Sequence, residues 1–241
     1  MGHDRLPPFE RSGVLLVDKP KEWTSHDVVN FFRHKFNIAK VGHCGTLDPA
    51  ATGLLVLVVG QATKLAQRLS GQDKTYEATM LLGVETDTQD MDGQVIAEKD
   101  WSAVTPDDVV RAIGRFTGEL DQVPPMVSAK KIDGKRLYEI ARQGKVVERE
   151  PVKITVHSFV VKELRLPQVD FVLECSKGTY VRTICHDIGQ ELGCGATLFS
   201  LRRSKSGVFA LEGALTVDEA REMSQEALAE RFWNDFGQWA Q

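Results

Sequence analysis

The stretch VGHCGTLDPAATGLLVLVVG, Val41 to Gly60, sets one carboxylate, Asp48, in a glycine-studded loop directly before an apolar run. LLVLVV, bounded by turn residues and rich in valine, reads as a buried strand. Pro49 pushes Asp48 toward extended backbone, while Gly42, Gly45 and Gly53 allow positive φ angles and a close backbone approach to a ligand. From the loop alone, Asp48 either bonds its own turn or faces a reactant.

Outward from this loop, helices and strands alternate. GVLLVDKP upstream is a strand stopping at Pro20, and Thr24 or Ser25 can cap a helix whose apolar positions Val28, Val29, Phe32 and Phe36 recur at helical spacing. Downstream, ATKLAQRLSG reads as a helix ending at Gly71, and YEATMLLG as a strand from Tyr76. The acidic TDTQDMDG stands between that strand and QVIAE, as in a hairpin with a long loop. TPDDVVRAIGRF has Thr105 as N-cap, Pro106 at the first helical position and Asp107 and Asp108 in the first turn.

VPPMVSAKKIDGKRLYEIARQGK mixes a proline-bearing loop with a short helix. VKITVHSFVV and VDFVLECS alternate like neighbouring strands; a helix from Tyr180 to Leu192, a strand from Ala196 to Leu201 and an acidic helical tail follow. The expected class is α+β, with a central, mostly antiparallel mixed sheet flanked by helices and loops.

At 241 residues and 42% hydrophobic, the chain can bury a sizeable core. The N-terminus lacks a signal peptide's apolar region, no segment is long enough to span a membrane, and the expected compartment is cytoplasmic. Four cysteines, Cys44, Cys175, Cys185 and Cys194, show neither CxxC pairing nor zinc-finger spacing, so neither a metal site nor a disulfide framework is indicated.

The net charge of −4 hides an uneven distribution. Residues 131–207 carry 14 Lys or Arg against 9 Asp or Glu, whereas the tail from Val208 has 2 against 7. A basic middle suits an RNA-binding face, although a solvated surface gives the same count. Lys64, Lys130, Lys131, Lys135, Arg136, Arg142, Arg202 and Arg203 are the candidate phosphate contacts, and such contacts predict a salt-sensitive affinity.

Two further segments can carry chemistry. In SKGTYVRT, a strand ends and a helix begins, a geometry suited to an anion, with Lys177, Tyr180 and Arg182 able to face one site. Arg182 beside a buried carboxylate keeps it ionised; on a helix surface it is only half of a solvated ion pair. Tyr76, two residues after Lys74 at a strand start, is either core or a stacking platform for a base.

Taken in order, VDKP, GHCGTLDPAATG, DKTYEA, TDTQDMDG, SKGTYVRT and LRRSKSG resemble the TruB family of tRNA pseudouridine synthases, from about Gly13 to Gly207. The resemblance implies the pseudouridine synthase fold, with an active site in a cleft across the sheet. It implies that Asp48 is the catalytic aspartate, that Tyr76 stacks on the target uracil and that Arg182 pairs with Asp48. By the same resemblance Asp90 joins the Arg-Asp network, His43 inserts into the RNA loop, and Lys19 and Pro20 support the active-site loop together with Gly45. Tyr180, and Leu201 as an apolar wall, complete the substrate-side candidates.

The implied reaction isomerises uridine to pseudouridine in the T-arm of tRNA, at position 55, on a flipped nucleotide and without cofactor. The expected partner is the tRNA T-arm stem-loop, with no membrane, no obligate protein partner and a monomeric enzyme. The expected organisation is a flexible N-terminus over 1–12, a catalytic domain over 13–207 and an acidic helical tail over 208–241 packed on it. Many family members continue past LRR into a PUA-type module, and that module is expected to be absent here. A related synthase acting on another RNA, or an RNA folding assistant without catalysis, are the competing readings. Cys44 is given no catalytic role, but a thiol beside the site is expected to be open to oxidation.

Overall fold

A computed structural model describes residues 7–127, 131–132, 135–136 and 147–233, the two short pairs by backbone only. In chain order the elements are β1 (Gly13–Lys19), α1 (Ser25–Lys35), β2 (Val41–His43), β3 (Thr52–Val59), α2 (Ala66–Ser70), β4 (Lys74–Leu82), β5 (Val84–Thr86) and β6 (Val95–Glu98). Then come α3 (Pro106–Arg115), β7 (Gly118–Gln122), β8 (Lys131–Ile132), β9 (Lys135–Arg136), β10 (Val152–Arg165) and β11 (Gln168–Cys175). The last are α4 (Val181–Leu192), β12 (Ala196–Ser206), β13 (Phe209–Ala210), β14 (Leu215–Thr216), α5 (Val217–Glu222) and α6 (Gln225–Glu230). The chain forms two compact units, one of residues 1–75 with 202–241 and the other of residues 76–201.

In the first unit the strand order is β14-β1-β3-β12, with β2 on β3 and β13 on β12. β1 runs antiparallel to β3 over Gly13↔Val59 to Lys19↔Gly53, so the lone carboxylate's loop opens next to the end of β1. β3 is buried along nearly its whole length, as its unbroken apolar run requires. α1 starts with a capping box: Thr24 Oγ1 accepts from the Asp27 amide, and the Asp27 carboxylate accepts from the Thr24 amide. Its Val28, Val29 and Phe32 enter a core with Val17, Leu55, Leu57, Leu215, Val217, Leu228 and Phe232.

The tail therefore contributes apolar side chains to this unit's core in addition to its acidic surface. The N-terminal stretch expected to be flexible is tied down over its described residues. The Phe9 amide donates to Asn37 O, Phe9 packs on Phe232, and Ser12 Oγ accepts from the Gln61 amide.

The second unit is built on β4-β11-β10-β7, with β10 antiparallel to both β11 and β7. β11 buries alternate residues, Val169, Phe171, Leu173 and Cys175, the two-residue period of a half-buried strand. α3, with its Thr105–Asp108 capping box, packs on α4 and β10. Taken unit by unit, most strand pairs are antiparallel, while β1–β14 and β3–β12 are parallel.

Several boundaries differ from the sequence expectation for physical reasons. The helix expected over ATKLAQRLSG is a 3-10 turn over Gly60–Leu65 followed by α2, and Thr63 Oγ1 bonding back to Gly60 O tightens its start. QVIAE pairs with β5 rather than with the strand that begins at Lys74, because Gly83 at φ 85° separates β4 from β5. The final strand runs on to Ser206 instead of stopping at Leu201, since Arg202 and Arg203 pair with Thr52 and Gly53. Residues 128–130, 133–134 and 137–146, including Lys130, Arg142 and the short helix expected there, lie outside the described residues.

Candidate active site

In the first unit the Asp48 loop is held at successive carbonyls. Arg203 Nη2 donates to Gly45 O (3.1 Å), Ser25 Oγ donates to Leu47 O (3.1 Å) and accepts from the Leu47 amide (2.9 Å). The Ala51 amide donates to Asp48 O (3.1 Å), and Pro49 O receives both the Glu22 amide (2.9 Å) and Lys19 Nζ (3.2 Å). Lys19, fully buried, also donates to Pro20 O (2.8 Å) and Trp23 O (2.5 Å). The end of β1, the start of α1 and the distant β12 thus converge on residues 45–49, and Asp48 itself is half-buried.

Two glycines are required here. Gly45 has φ 97°, and a Cβ on it would stand 3.4 Å from Arg203 Nη1 and 3.6 Å from Lys74 Cε. Gly53 has φ 99°, and a Cβ would fall 2.4 Å from Arg203 O, where β3 and β12 pass closely. Gly42, by contrast, sits in the β2–β3 ladder and has no positive φ.

Arg203 is a correction. Expected among the phosphate contacts, it is 1% exposed, with Nε on Leu54 O (2.7 Å) and Nη2 on Gly45 O. A buried guanidinium must exchange its water for carbonyls, which leaves no head group at the surface for RNA. Arg202 faces outward more, yet it pairs with Asp18 (2.6 Å) and donates to Thr52 Oγ1 (3.3 Å). Lys64 is exposed.

His43, at the end of β2, is kept neutral to lower pH than an ordinary histidine. Burial is the larger cause and the Arg203 cation the next, partly offset by a bond to the Gly45 backbone. Cys44 is a second correction, because its thiol is fully buried and burial pushes its pKa up to about 11. A thiol held protonated and out of solvent is inert rather than oxidation-prone.

In the second unit Arg182, 4% exposed on the first turn of α4, donates from Nη1 to Asp90 Oδ2 (2.9 Å) and from Nη2 to Val127 O (2.5 Å). Asp90 Oδ1 accepts from Thr88 Oγ1 (2.5 Å) and from the Asp92 amide (3.1 Å). The preceding Gln89, at φ 66°, receives Thr183 Oγ1 on its side chain (2.7 Å) and the Leu198 amide on its carbonyl (3.0 Å). TDTQD therefore links α4 and β12 with Thr86 and Asp90 buried and Asp87 exposed, and Arg182 is a buried ion-pair member rather than a helix-surface charge.

Tyr180, the N-cap of α4, lies with its ring 5.9 Å from the Arg182 guanidinium carbon. Its own backbone is gripped by Gln122, whose Oε1 accepts from the Tyr180 amide (2.8 Å) and whose Nε2 donates to Tyr180 O (3.1 Å). Lys177, in the turn before, is exposed while Arg182 is buried, so the two do not present their charges together. Tyr76 on β4 is buried, and Leu201 on β12 is half-buried.

Sequence reasoning missed Ser25 and Gln122. For Ser25 a signal existed: Thr24-x-x-Asp27 satisfies the capping-box spacing, which assigns the cap to Thr24 and leaves the Ser25 hydroxyl for another partner. For Gln122 none existed, because its partner is 58 residues away in sequence.

The first unit thus holds a carboxylate on a loop fixed at its carbonyls, and the second holds a buried Arg-Asp pair. The TruB family pseudouridylate synthase N-terminal domain matches residues 33–181, and the tRNA pseudouridylate synthase B C-terminal domain matches residues 182–234. The chain belongs to the TruB family. A tRNA pseudouridine synthase B of Opitutus terrae is 52% identical over 212 residues, 88% of each chain. Another, of Geobacter sulfurreducens, is 49% identical over 88% of this chain and 70% of its own.

Among solved structures, a chain of a Cbf5-Nop10-Gar1 complex is 28% identical with a TM-score of 0.71, covering 96% of this chain and 65% of that one. A chain of an H/ACA RNP bound to a substrate RNA containing 2'-deoxyuridine is also 28% identical, with a TM-score of 0.65, covering 90% of this chain and 58% of the other. The fold is accordingly that of the pseudouridine synthases, α+β with a mixed sheet. No helix among the described residues is long and apolar enough to cross a membrane.

Proposed function

We propose that this TruB-family chain isomerises uridine to pseudouridine at position 55 in the T-arm of tRNA. The observation that carries this reading is the 52% identity, over 88% of both chains, to a relative named tRNA pseudouridine synthase B. The fixed loop around Asp48 supports it. Net chemistry breaks the bond from ribose C1′ to uracil N1 and makes one from C1′ to C5; C5 loses its proton and N1 gains one, so nothing is added or removed.

Asp48 supplies the carboxylate that either attacks C1′ or takes a ribose proton. Tyr76 supplies an aromatic face for the flipped base, and its hydroxyl relays the C5 proton. Arg182 contributes the cation that favours an ionised carboxylate, with Asp90 orienting it. His43 fills the space the base vacates, and a neutral imidazole suits that stacked position. Leu201 and Tyr180 wall the base, and Lys64, with basic residues outside the described set, holds phosphates. The protein acts in the cytoplasm as a monomer without an obligate protein partner.

The test incubates an unmodified tRNA transcript with wild-type and Asp48→Asn protein and maps pseudouridine by a base-specific adduct that stops reverse transcription. One T-loop stop with wild type and none with the variant is expected. Tight tRNA binding with no stop in any transcript would replace this reading with that of an RNA folding assistant, and a stop outside the T-arm would change the substrate.

A further inference from the structure

We propose that Ser25 is a positioning residue for Asp48, acting through the peptide unit that joins Leu47 to Asp48. This rests on the reading of Asp48 as the catalytic carboxylate. Ser25 is 2% exposed and occupies the first position of α1. It is not needed as a cap, because Thr24 fills that role through its bonds with Asp27. Its hydroxyl instead accepts the Leu47 amide and donates to the Leu47 carbonyl, so one atom fixes both backbone torsions of the residue before Asp48.

The other restraints on the loop act at different places. Arg203 holds Gly45, two residues before Leu47, while Lys19 and the Glu22 amide hold Pro49, just after Asp48. The Ala51 amide closes the turn onto Asp48 O. Among the described residues, Ser25 is the side chain recorded on Leu47. Removing it leaves an N–H and a C=O buried without their partner, and they recover partners by rotating the two peptide planes that flank Leu47, the second of which joins it to Asp48. That rotation moves the Asp48 Cα–Cβ bond direction and hence its carboxylate. Ser25 has no role in binding RNA on this account, because its hydroxyl is buried and committed to protein.

The experiment measures single-turnover isomerisation rates and tRNA dissociation constants for wild type, Ser25→Ala, Ser25→Cys, Ser25→Thr and Thr24→Ala. Misplacing a reacting group by about 1 Å costs on the order of 100-fold, so Ser25→Ala is expected to slow the step about 10- to 100-fold with its tRNA affinity within about twofold of wild type. Ser25→Thr, which keeps the hydroxyl, recovers most of the rate. Thr24→Ala lowers the melting temperature through the same helix and leaves the rate intact, which separates positioning from stability.

If Ser25→Ala is unfolded at the assay temperature, Ser25→Cys decides, since sulfur is close in size but a weak hydrogen-bonding partner. A slow, well-folded Cys variant supports the proposal. The proposal is overturned if the folded Ala or Cys variant turns over within about twofold of wild type. It is overturned equally if the loss lies wholly in tRNA affinity, or if Thr24→Ala loses as much rate. A wild-type protein that makes no pseudouridine in any tRNA overturns the proposed function itself, a failure seen in a different arm from that of the variants.

Discussion

Replacing Asp90 with Ala tests the buried Arg182–Asp90 pair directly. Asp90 is 6% exposed, and its carboxylate accepts three bonds, from Arg182 Nη1 (2.9 Å), Thr88 Oγ1 (2.5 Å) and the Asp92 amide (3.1 Å). Alanine takes the Asp90 carboxylate away from the guanidinium of Arg182, a residue 4% exposed, and deleting one member of a buried ion pair costs about 3–5 kcal/mol. Thr88 rotates and the Asp92 amide lies nearer water, so the guanidinium dominates that sum. For a chain of this length each kcal/mol moves the melting temperature by about 2–4 °C, which gives a drop of roughly 6–20 °C.

Urea denaturation and a thermal melt, each followed by circular dichroism, measure this. A cycle with Arg182→Met is expected to show a coupling energy above about 1.5 kcal/mol, because the double variant no longer buries the cation that faced Asp90. An Asp90→Ala protein within about 1 kcal/mol of wild type, or additive single effects, would refute the reasoning: the pair would then be solvated or replaceable by water.

Two other expectations follow from the titratable groups. Lys99 Nζ donating to Glu85 Oε1 (2.5 Å) holds the Glu85 carboxyl below its ordinary value of 4.5, so its stabilisation is present above that value and disappears as pH falls through the folded-state pKa. With Lys99 well exposed, Glu85→Gln should cost only about 0.5–1 kcal/mol in urea melts near pH 7. That difference should shrink as pH is lowered below 4.5 and Glu85 becomes protonated, and one that stays constant across the acid range would contradict the assignment. All four cysteines are buried, and Cys44 at about 11 has roughly one thiolate per thousand thiols near pH 8. A maleimide or disulfide reagent should therefore label none of them rapidly until urea unfolds the chain, and prompt labelling of Cys44 in native protein would show that its loop opens.

The sequence alone determined what depends on neighbours a few residues apart. Thr105-x-x-Asp108 started α3 where its residues said it would, because a cap and its partner are three positions apart. The alternation in VDFVLECS fixed which face of β11 is buried, and the apolar run after Asp48 fixed β3 as a covered strand. The ordered motifs named the family and singled out Asp48, Asp90 and Arg182 as the residues to look at.

Only the tertiary structure decided the fate of side chains whose partners lie far along the chain. Arg203 reads as a surface cation in LRRSKSG, yet its carbonyl partners, Leu54 and Gly45, are 149 and 158 residues away. Ser25 and Thr24 are equivalent cap candidates by type, and it is the fold that brings Leu47 to one of them. Gln122 looks like any polar residue at a strand end until α4 places the Tyr180 backbone against it. Caps and periodicity are local and repeat in every chain that carries them. Whether a long polar side chain keeps its water or trades it for buried carbonyls depends on which distant backbone folding puts within about 3 Å of it.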